Sequence, residues 1–213
     1  MLDKWTMAWI RPPLTSTAKM ITHIGLLPNQ ITIIGFLVGL CVIPLLWIQN
    51  YWLALIVIIL NRILDGLDGA LARLGQATDA GGFLDISLDF IFYSAVVWGF
   101  ALANPAQNAL PAASLIFSFI GSGTSFLAFA VMAAKQKIQC IVYPQKSLYY
   151  LGGLTEGTET IAFFVAFCLF PAYFPIMAYT FAALCWLTTA IRIIGGFHTL
   201  KSHSQGGKNS HSS

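Results

Sequence analysis

Six long apolar segments occupy most of this chain and limit what it can fold into. A helix needs about 20 apolar residues to cross a bilayer core, and segments approaching that length occur at roughly 30–48, 52–74, 82–103, 112–134, 158–171 and 173–195. Only 9% of the residues are charged, whereas soluble domains carry roughly a quarter. The sequence therefore predicts an all-α polytopic membrane protein, with six transmembrane helices in one domain over residues 1–201.

The regions outside these segments are short. Residues 2–26 mix Trp and Ile with Lys4, Arg11 and Lys19, which predicts an N-terminal helix lying in the membrane interface. A partly disordered arm is the alternative interpretation. Residues 202–213 are rich in Ser, Gly, Asn and His, a composition that predicts a disordered tail.

The basic residues predict the orientation in the membrane. Lys and Arg lie before the first segment, between the second and third, after the fourth and at the C-terminal end. The positive-inside rule then places both termini and the 2–3 turn in the cytoplasm. The formal charge of +3 is not gathered into a basic stripe, so we expect no nucleic-acid partner.

Four of the eight acidic residues lie inside apolar segments, and these are Asp65, Asp68, Asp85 and Asp89. A carboxylate at the centre of a bilayer costs at least about 2.5–3.5 kcal/mol on insertion scales. Four such groups need a compensating partner, and a cation is the simplest one.

Helical spacing places these acids on two stripes. Asp65 and Asp68 share a helix face with Gly69 and Ala72, while Gly81, Asp85 and Asp89 recur at every fourth residue. The short stretch from Gly75 to Gly81 predicts a turn, so the two helices form a hairpin. Converging carboxylates beside small residues predict an all-oxygen site for Mg²⁺ or Mn²⁺.

The spacing Asp65-x-x-Asp68-Gly69-x-x-Ala72-Arg73-(x)7-Gly81-x-x-x-Asp85-x-x-x-Asp89 resembles the signature of the CDP-alcohol phosphotransferases. The six segments, the N-terminal interfacial helix and Pro28-Asn29-Gln30-Ile31-Thr32 are also similar to this family. The resemblance therefore covers most of the chain. The spacer between Arg73 and Gly81 is one residue shorter than usual for the family.

The resemblance implies metal-dependent transfer of a phosphatidyl group from CDP-diacylglycerol to a small alcohol, such as glycerol phosphate or an inositol-type polyol, with release of CMP in phospholipid biosynthesis. It implies that Asp65, Asp68 and Asp85 hold one or two metal ions, with Asp89 a shared ligand or the base for the acceptor hydroxyl. The cytidine diphosphate would be held by Asn29, Gln30, Ile31, Thr32, Gly69, Ala72, Arg73, Thr78 and Gly81.

Three further basic residues lie in or at the ends of apolar segments. Arg62 precedes Asp65 by three residues on the same helix face, which favours a structural counterion over a catalytic role. Lys135 and Arg192 lie near the cytoplasmic ends of the fourth and sixth segments. The resemblance implies that they hold the acceptor, and simple snorkelling to the interface is the alternative.

Glu156 and Glu159 flank the start of the fifth segment, where acids stabilise a helix N-terminus. Family members that use a phosphorylated polyol tend to carry arginine there, and this sequence has none between residues 154 and 160. The resemblance also implies a homodimer, and Gly35, Gly39, Gly121 and Gly123 would allow close helix packing. We expect the protein in a bacterial inner membrane.

Two other functions use intramembrane acids. A divalent-cation carrier or channel would need a polar path across the membrane. Asp65 lies about 20 Å along the helix from Trp52 at the outer face, and the outer halves of the segments lack acids. An aspartate-rich membrane prenyltransferase would need a second acidic hairpin, and the later segments contain none.

Overall fold

The computed structural model describes residues 14–20, 27–136 and 155–209, and all regular structure in these ranges is helical. Residues 14–20 form α1. The other helices are α2 (Pro28–Leu40), α3 (Val42–Trp47), α4 (Tyr51–Leu71), α5 (Asp79–Ala103), α6 (Pro105–Lys135), α7 (Gly157–Leu169) and α8 (Phe174–Asn209). The predicted all-α class is confirmed for this part of the chain.

Four helical stretches are long and apolar enough to cross a membrane, namely Pro28–Trp47, Asp79–Ala103, Pro105–Lys135 and Pro171–Ser202. Helix α4 has 21 residues but contains three charged groups, and α7 has only 13 residues. The protein is a membrane protein with four such stretches in the described residues. A count of six spans stays a prediction.

The first predicted span is divided into two helices. Pro44 has no N–H and therefore cannot bond to the carbonyl of Leu40, and the chain turns at Cys41 between α2 and α3. After α3, Gln49 has a φ of 59°, and the side chain of Asn50 caps α4 by accepting from the Leu53 N–H at 3.2 Å. This reversal joins α3 directly to α4.

Phenylalanine rings fill the main core between α5, α6, α7 and α8. The rings of Phe100 and Phe174 stack with centroids 4.7 Å apart, and Phe163 stacks on Phe181 at 4.3 Å. Large apolar side chains also cover the outside of the bundle, including Ile176, Ile194 and Phe197 on α8. Such an apolar exterior suits a hydrocarbon environment.

A smaller cluster joins α1 to the hairpin. Ala18 of α1 is fully buried against Ile31 of α2 and Leu67, Ala70 and Leu71 of α4. The predicted interfacial helix also includes residues 2–13 and 21–26, which lie outside the described residues. Its position in the interface therefore stays a prediction.

Two helix ends differ from the sequence expectation. Helix α6 begins at Pro105, before the predicted 112, because Asn104 caps it and proline suits the first helical turn. Helix α8 continues to Asn209, into the tail for which we predict disorder. Extending a long helix costs less than nucleating one, so a polar sequence can prolong it.

Candidate active site

The acidic hairpin consists of α4 and α5 with a very short connection. Helix α4 ends in a π-helical stretch, Ala72–Gln76, and the Thr78 side chain caps α5 by accepting from the Gly81 N–H at 3.0 Å. Because only Ala77 and Thr78 separate the two helical stretches, the acids of α4 lie close to those of α5.

Three of the four aspartates converge. Asp65, Asp68 and Asp85 each offer a carboxylate oxygen within 4.8 Å of the other two. Asp68 is buried, with 4% exposure, and its Oδ2 accepts a hydrogen bond from the Thr32 hydroxyl at 2.5 Å. The N-terminal turn of α2 thus fixes one carboxylate of the cluster.

Asp89 pairs with a cation beside this cluster. Its Oδ1 accepts a hydrogen bond from Arg62 Nη2 at 2.7 Å, and its Oδ2 accepts one from the Tyr93 hydroxyl at 3.3 Å. Arg62 Nη1 also lies 3.5 Å from Asp65 Oδ2. The guanidinium therefore bridges α4 and α5, as a counterion of the acids would.

The glycines of the signature let polar side chains come close to the backbone of the hairpin. A Cβ placed on Gly81 would lie 2.8 Å from Asn29 Oδ1, and one placed on Gly69 would lie 3.4 Å from Arg73 Nη1. Asn29 and Arg73 therefore reach over the two glycines, at the ends of the helices that carry the acids. Their polar side chains are exposed, as are those of Gln30 and Thr78.

Other residues of the predicted cytidine diphosphate site have structural contacts. Gln30 caps α2, since its Oε1 accepts from the Leu27 N–H at 3.1 Å, and Ile31 is buried in the α1 cluster. Ala72 is half-buried at the start of the π-helical stretch.

The two predicted acceptor residues lie on α6 and α8. Lys135 is the last residue of α6 and is exposed. Arg192 is only 7% exposed, and its Nη1 donates to the Ser122 carbonyl at 3.3 Å and to the Ser122 hydroxyl at 3.2 Å. Its guanidinium lies over the Phe126 ring at 5.6 Å. Arg192 is thus packed inside the α6–α8 interface.

The start of α7 lies next to the Asp89 pair. A Cβ placed on Gly157 would be 4.0 Å from the Tyr93 hydroxyl. Glu159 Oε2 accepts from the Glu156 N–H at 3.1 Å, as one half of a capping box. This contact gives the two glutamates a structural role at the helix start.

Sequence reasoning missed Tyr93 and Asn61. Tyr93 lies one turn after Asp89 on the same face of α5, and that spacing was the available signal. Asn61 is 3% exposed and adjoins Arg62 in an otherwise apolar run. A buried polar side chain in a membrane helix generally bonds to a neighbouring helix, and here Asn61 Nδ2 donates to the Gly35 carbonyl at 2.8 Å.

The sequence model of the CDP-alcohol phosphatidyltransferase family matches residues 25–194, and the chain belongs to this family. It is accordingly a membrane transferase of substituted phosphate groups that functions in phospholipid biosynthesis. Family membership sets aside the two alternatives, a divalent-cation carrier and a prenyltransferase.

Two curated relatives cover nearly the same length. The chain is 55% identical over 202 residues to the inner membrane protein YnjF of Escherichia coli, an alignment that covers 95% of this chain and 98% of YnjF. It is 31% identical over 185 residues to the archaetidylinositol phosphate synthase of Pyrococcus horikoshii, covering 86% and 90% of the two chains.

The fold also matches solved structures. Phosphatidylinositol phosphate synthase (PgsA1) of Mycobacterium tuberculosis with CDP-DAG bound superposes with a TM-score of 0.61 and 20% identity, covering 88% of this chain and 92% of that one. The same protein in complex with manganese and citrate gives a TM-score of 0.62 at 21% identity and 88% coverage of both chains. At this identity the match establishes a shared fold.

Proposed function

We propose that this protein transfers the phosphatidyl group of CDP-diacylglycerol to the hydroxyl of a small polyol and releases CMP, with a divalent ion bound at the acid cluster. The observation that carries the proposal is the convergence of Asp65, Asp68 and Asp85 within 4.8 Å, on the helices that bear the family signature.

The donor set fits Mg²⁺ or Mn²⁺. The cluster offers carboxylate oxygens alone, which are the ligands these hard ions prefer. Thr32 orients Asp68 by hydrogen bonding, as groups behind metal ligands commonly do. A bound divalent ion would neutralise charge on the diphosphate and on the departing CMP.

Asp89 is proposed as the base. The acceptor hydroxyl oxygen attacks the phosphorus attached to diacylglycerol, and the bond from that phosphorus to the CMP oxygen breaks. CMP leaves with the bonding electrons, and the hydroxyl proton passes to Asp89. Arg62 and Tyr93 hold this carboxylate through both oxygens, which favours a fixed orientation toward the acceptor.

The cytidine diphosphate is proposed to lie across the glycine positions of the hairpin. Because Gly69 and Gly81 have no side chains, Arg73 and Asn29 reach over the hairpin there, and the exposed side chains of Asn29, Arg73 and Thr78 would contact the nucleotide. A guanidinium can hold phosphate oxygens with two parallel hydrogen bonds, so Arg73 is the residue suited to the diphosphate.

An apolar groove between α5 and α6 is proposed to hold an acyl chain of the CDP-lipid. The groove encloses about 590 Å³, starts at Thr78 and Asp79, and continues past Phe83, Phe90 and Leu127. Its beginning at Thr78, one of the proposed nucleotide contacts, supports a lipid tail as the occupant because headgroup and tail belong to one molecule.

The acceptor is proposed to be a small polyol held with the help of Lys135 and Arg192. Two relatives are named for inositol phosphate products, which supports a polyol. Because there is no arginine between residues 154 and 160, fewer cations are available to bind the phosphate of a phosphorylated polyol.

The active site is proposed to face the cytoplasm of an inner membrane, as the distribution of Lys and Arg indicates.

A homodimer is also proposed, by analogy with the family. The four glycines that suggested a dimer interface instead contact neighbouring helices of the same chain. Gly39 contacts Asn61 and Phe92, for example, and Gly123 contacts Phe90. Crosslinking in native membranes tests the dimer, and monomer alone with several crosslinkers would contradict it.

Mass spectrometry of lipid products tests the proposed reaction. Purified protein receives CDP-diacylglycerol and, separately, glycerol, glycerol phosphate, inositol and inositol phosphate, with Asp68→Asn as the matched control. We expect one phosphatidyl-polyol and stoichiometric CMP from the wild type and neither from the control. CMP release without any phosphatidyl product would indicate hydrolysis and contradict the transfer.

A further inference from the structure

Two buried threonines fasten the start of α7 to α8. Thr188 on α8 is fully buried, and Thr155 is 7% exposed. The N–H and the hydroxyl of Thr155 both donate to Thr188 Oγ1, at 3.2 and 3.0 Å. Thr155 directly precedes Glu156, the N-cap of α7. The two hydrogen bonds therefore fix the chain at the point where the helix begins.

The first turn of α7 is held together by its own hydrogen bonds. Glu159 Oε2 accepts from the Glu156 N–H at 3.1 Å, and the Thr160 hydroxyl donates to the Glu156 carbonyl at 2.9 Å. Such a capping box keeps the first turn in one conformation. A shift of Thr155 would therefore move Gly157 and its neighbours together.

Gly157 lies beside the proposed base. A Cβ placed on Gly157 would be 4.0 Å from the Tyr93 hydroxyl, which donates to Asp89 Oδ2 at 3.3 Å. Two turns farther along α7, the Phe164 ring packs edge-on against the Tyr93 ring, with centroids 5.9 Å apart. The Asp89 side chain is only 25% exposed. The start of α7 thus belongs to the wall that restricts access to Asp89.

This wall bears on which hydroxyl reaches the base. Water can attack the same phosphorus as a polyol. The bond from phosphorus to the CMP oxygen then breaks, CMP leaves with the bonding electrons, Asp89 takes the proton, and phosphatidate forms in place of a phosphatidyl-polyol. A site that closes around the bound polyol suppresses this side reaction because it excludes water.

We propose that the contact between Thr155 and Thr188 holds the start of α7 against the polyol side of the site, so that a bound polyol reaches Asp89 and water does not. Thr188 is a positioning residue, since it acts through α7. This inference rests on the proposed function, because it takes Asp89 as the base for a polyol hydroxyl.

The ratio of transfer to hydrolysis tests the inference. Purified full-length protein in lipid nanodiscs receives CDP-diacylglycerol and the polyol that the wild type uses, and mass spectrometry measures phosphatidyl-polyol and phosphatidate. Thr188→Val keeps the shape but removes the oxygen that accepts from Thr155. We expect the polyol KM to rise about tenfold, the scale of two lost hydrogen bonds, and the share of phosphatidate to increase. The KM of the CDP-lipid should stay near the wild-type value.

Two control variants separate this role from general packing. Thr188→Ser retains the hydroxyl. Thr189→Val changes the adjacent residue, which is 3% exposed and whose hydroxyl donates to the Cys185 carbonyl of its own helix at 2.8 Å. Both controls should behave as the wild type does. The same change in Thr189→Val, an equal rise in both KM values, or wild-type behaviour of folded Thr188→Val would overturn the inference.

Amide hydrogen exchange distinguishes the inference from the proposed function. The N–H groups of residues 155–160 should exchange faster in Thr188→Val than in Thr189→Val, and unchanged exchange would overturn the anchor. Wild-type protein that makes no phosphatidyl-polyol would instead contradict the proposed function, and the exchange result would still decide whether Thr188 holds α7. Melting curves verify folding. If Thr188→Val does not fold, Thr155→Val removes one of the two bonds and should give a smaller change in the same direction, and no change would overturn the inference.

Discussion

The hydroxyl of Thr32 on α2 donates a 2.5 Å hydrogen bond to Oδ2 of Asp68 on α4. This bond joins residues 36 positions apart and ties the Pro28-to-Thr32 motif to the acid cluster. A carboxylate held in this way presents its remaining lone pairs in a fixed direction, which favours metal binding.

Removing this hydroxyl should weaken the metal site. Thr32→Val keeps the shape but removes the hydroxyl that donates to Asp68, so we expect Mn²⁺ affinity or activity to fall by about 10–100-fold, as for other residues that orient metal ligands. Isothermal titration of Mn²⁺ measures the affinity. Thr32→Ser retains the hydroxyl and should remain near the wild type, and an equal loss in both variants would contradict the role.

Metal dependence should be complete. Carboxylates alone would repel a diphosphate, so EDTA should abolish CMP release and added Mg²⁺ or Mn²⁺ should restore it. Asp68→Asn should show no activity that metal can rescue. The measurement is CMP release from CDP-diacylglycerol, and full turnover by a metal-free preparation would refute the site.

Asp89 should affect chemistry more than binding. Asp89→Asn keeps an acceptor oxygen for Arg62 but loses basicity, so kcat should fall at least about a hundredfold, within the range for general base catalysis. CDP-lipid affinity in the presence of metal should stay near normal. Steady-state kinetics measure the loss of kcat, and equilibrium binding measures the CDP-lipid affinity separately. Loss of binding together with turnover would identify Asp89 chiefly as a metal ligand.

Lys135 and Arg192 should influence the acceptor selectively. A hydrogen bond to a charged group contributes about 1.5–3 kcal/mol, so Lys135→Ala and Arg192→Ala should each raise the acceptor KM by about tenfold or more, and that of the CDP-lipid by less. Because Arg192 is buried, melting curves must accompany its kinetics. Equal effects on both substrates would indicate lost folding or simple snorkelling.

Narrowing the α5–α6 groove should discriminate against long acyl chains. Leu127→Trp places a large ring in the groove, so the KM for a CDP-lipid with 18-carbon chains should rise at least about tenfold, the scale of a misfit in an apolar pocket. A lipid with four-carbon chains should be unaffected. Ile193→Trp on the exposed surface of α8 is the matched control, and identical behaviour of the two variants would contradict the groove.

Much of the site could be predicted because charges in apolar helices are costly and therefore informative. The spacing of Asp65, Asp68 and Asp85 indicates one metal-binding stripe on each helix, and the structure places their oxygens within 4.8 Å of one another. For Tyr93 the only signal is its spacing one turn after Asp89, and this signal is weak because a tyrosine in an apolar helix is common. The role of Gly39 was also hidden, because small residues favour close packing without revealing whether the partner helix belongs to the same chain.

The helical class, the hairpin and the stripes of acids follow from the order of the residues, because these features depend on periodicity and turns among near neighbours. Three-dimensional packing is what pairs Arg62 with Asp89, brings the other three aspartates together and lets Thr32 reach Asp68. Those pairings depend on how α2, α4 and α5 cross and on which face each turns inward. That arrangement is set by packing over the whole bundle, which local spacing does not encode.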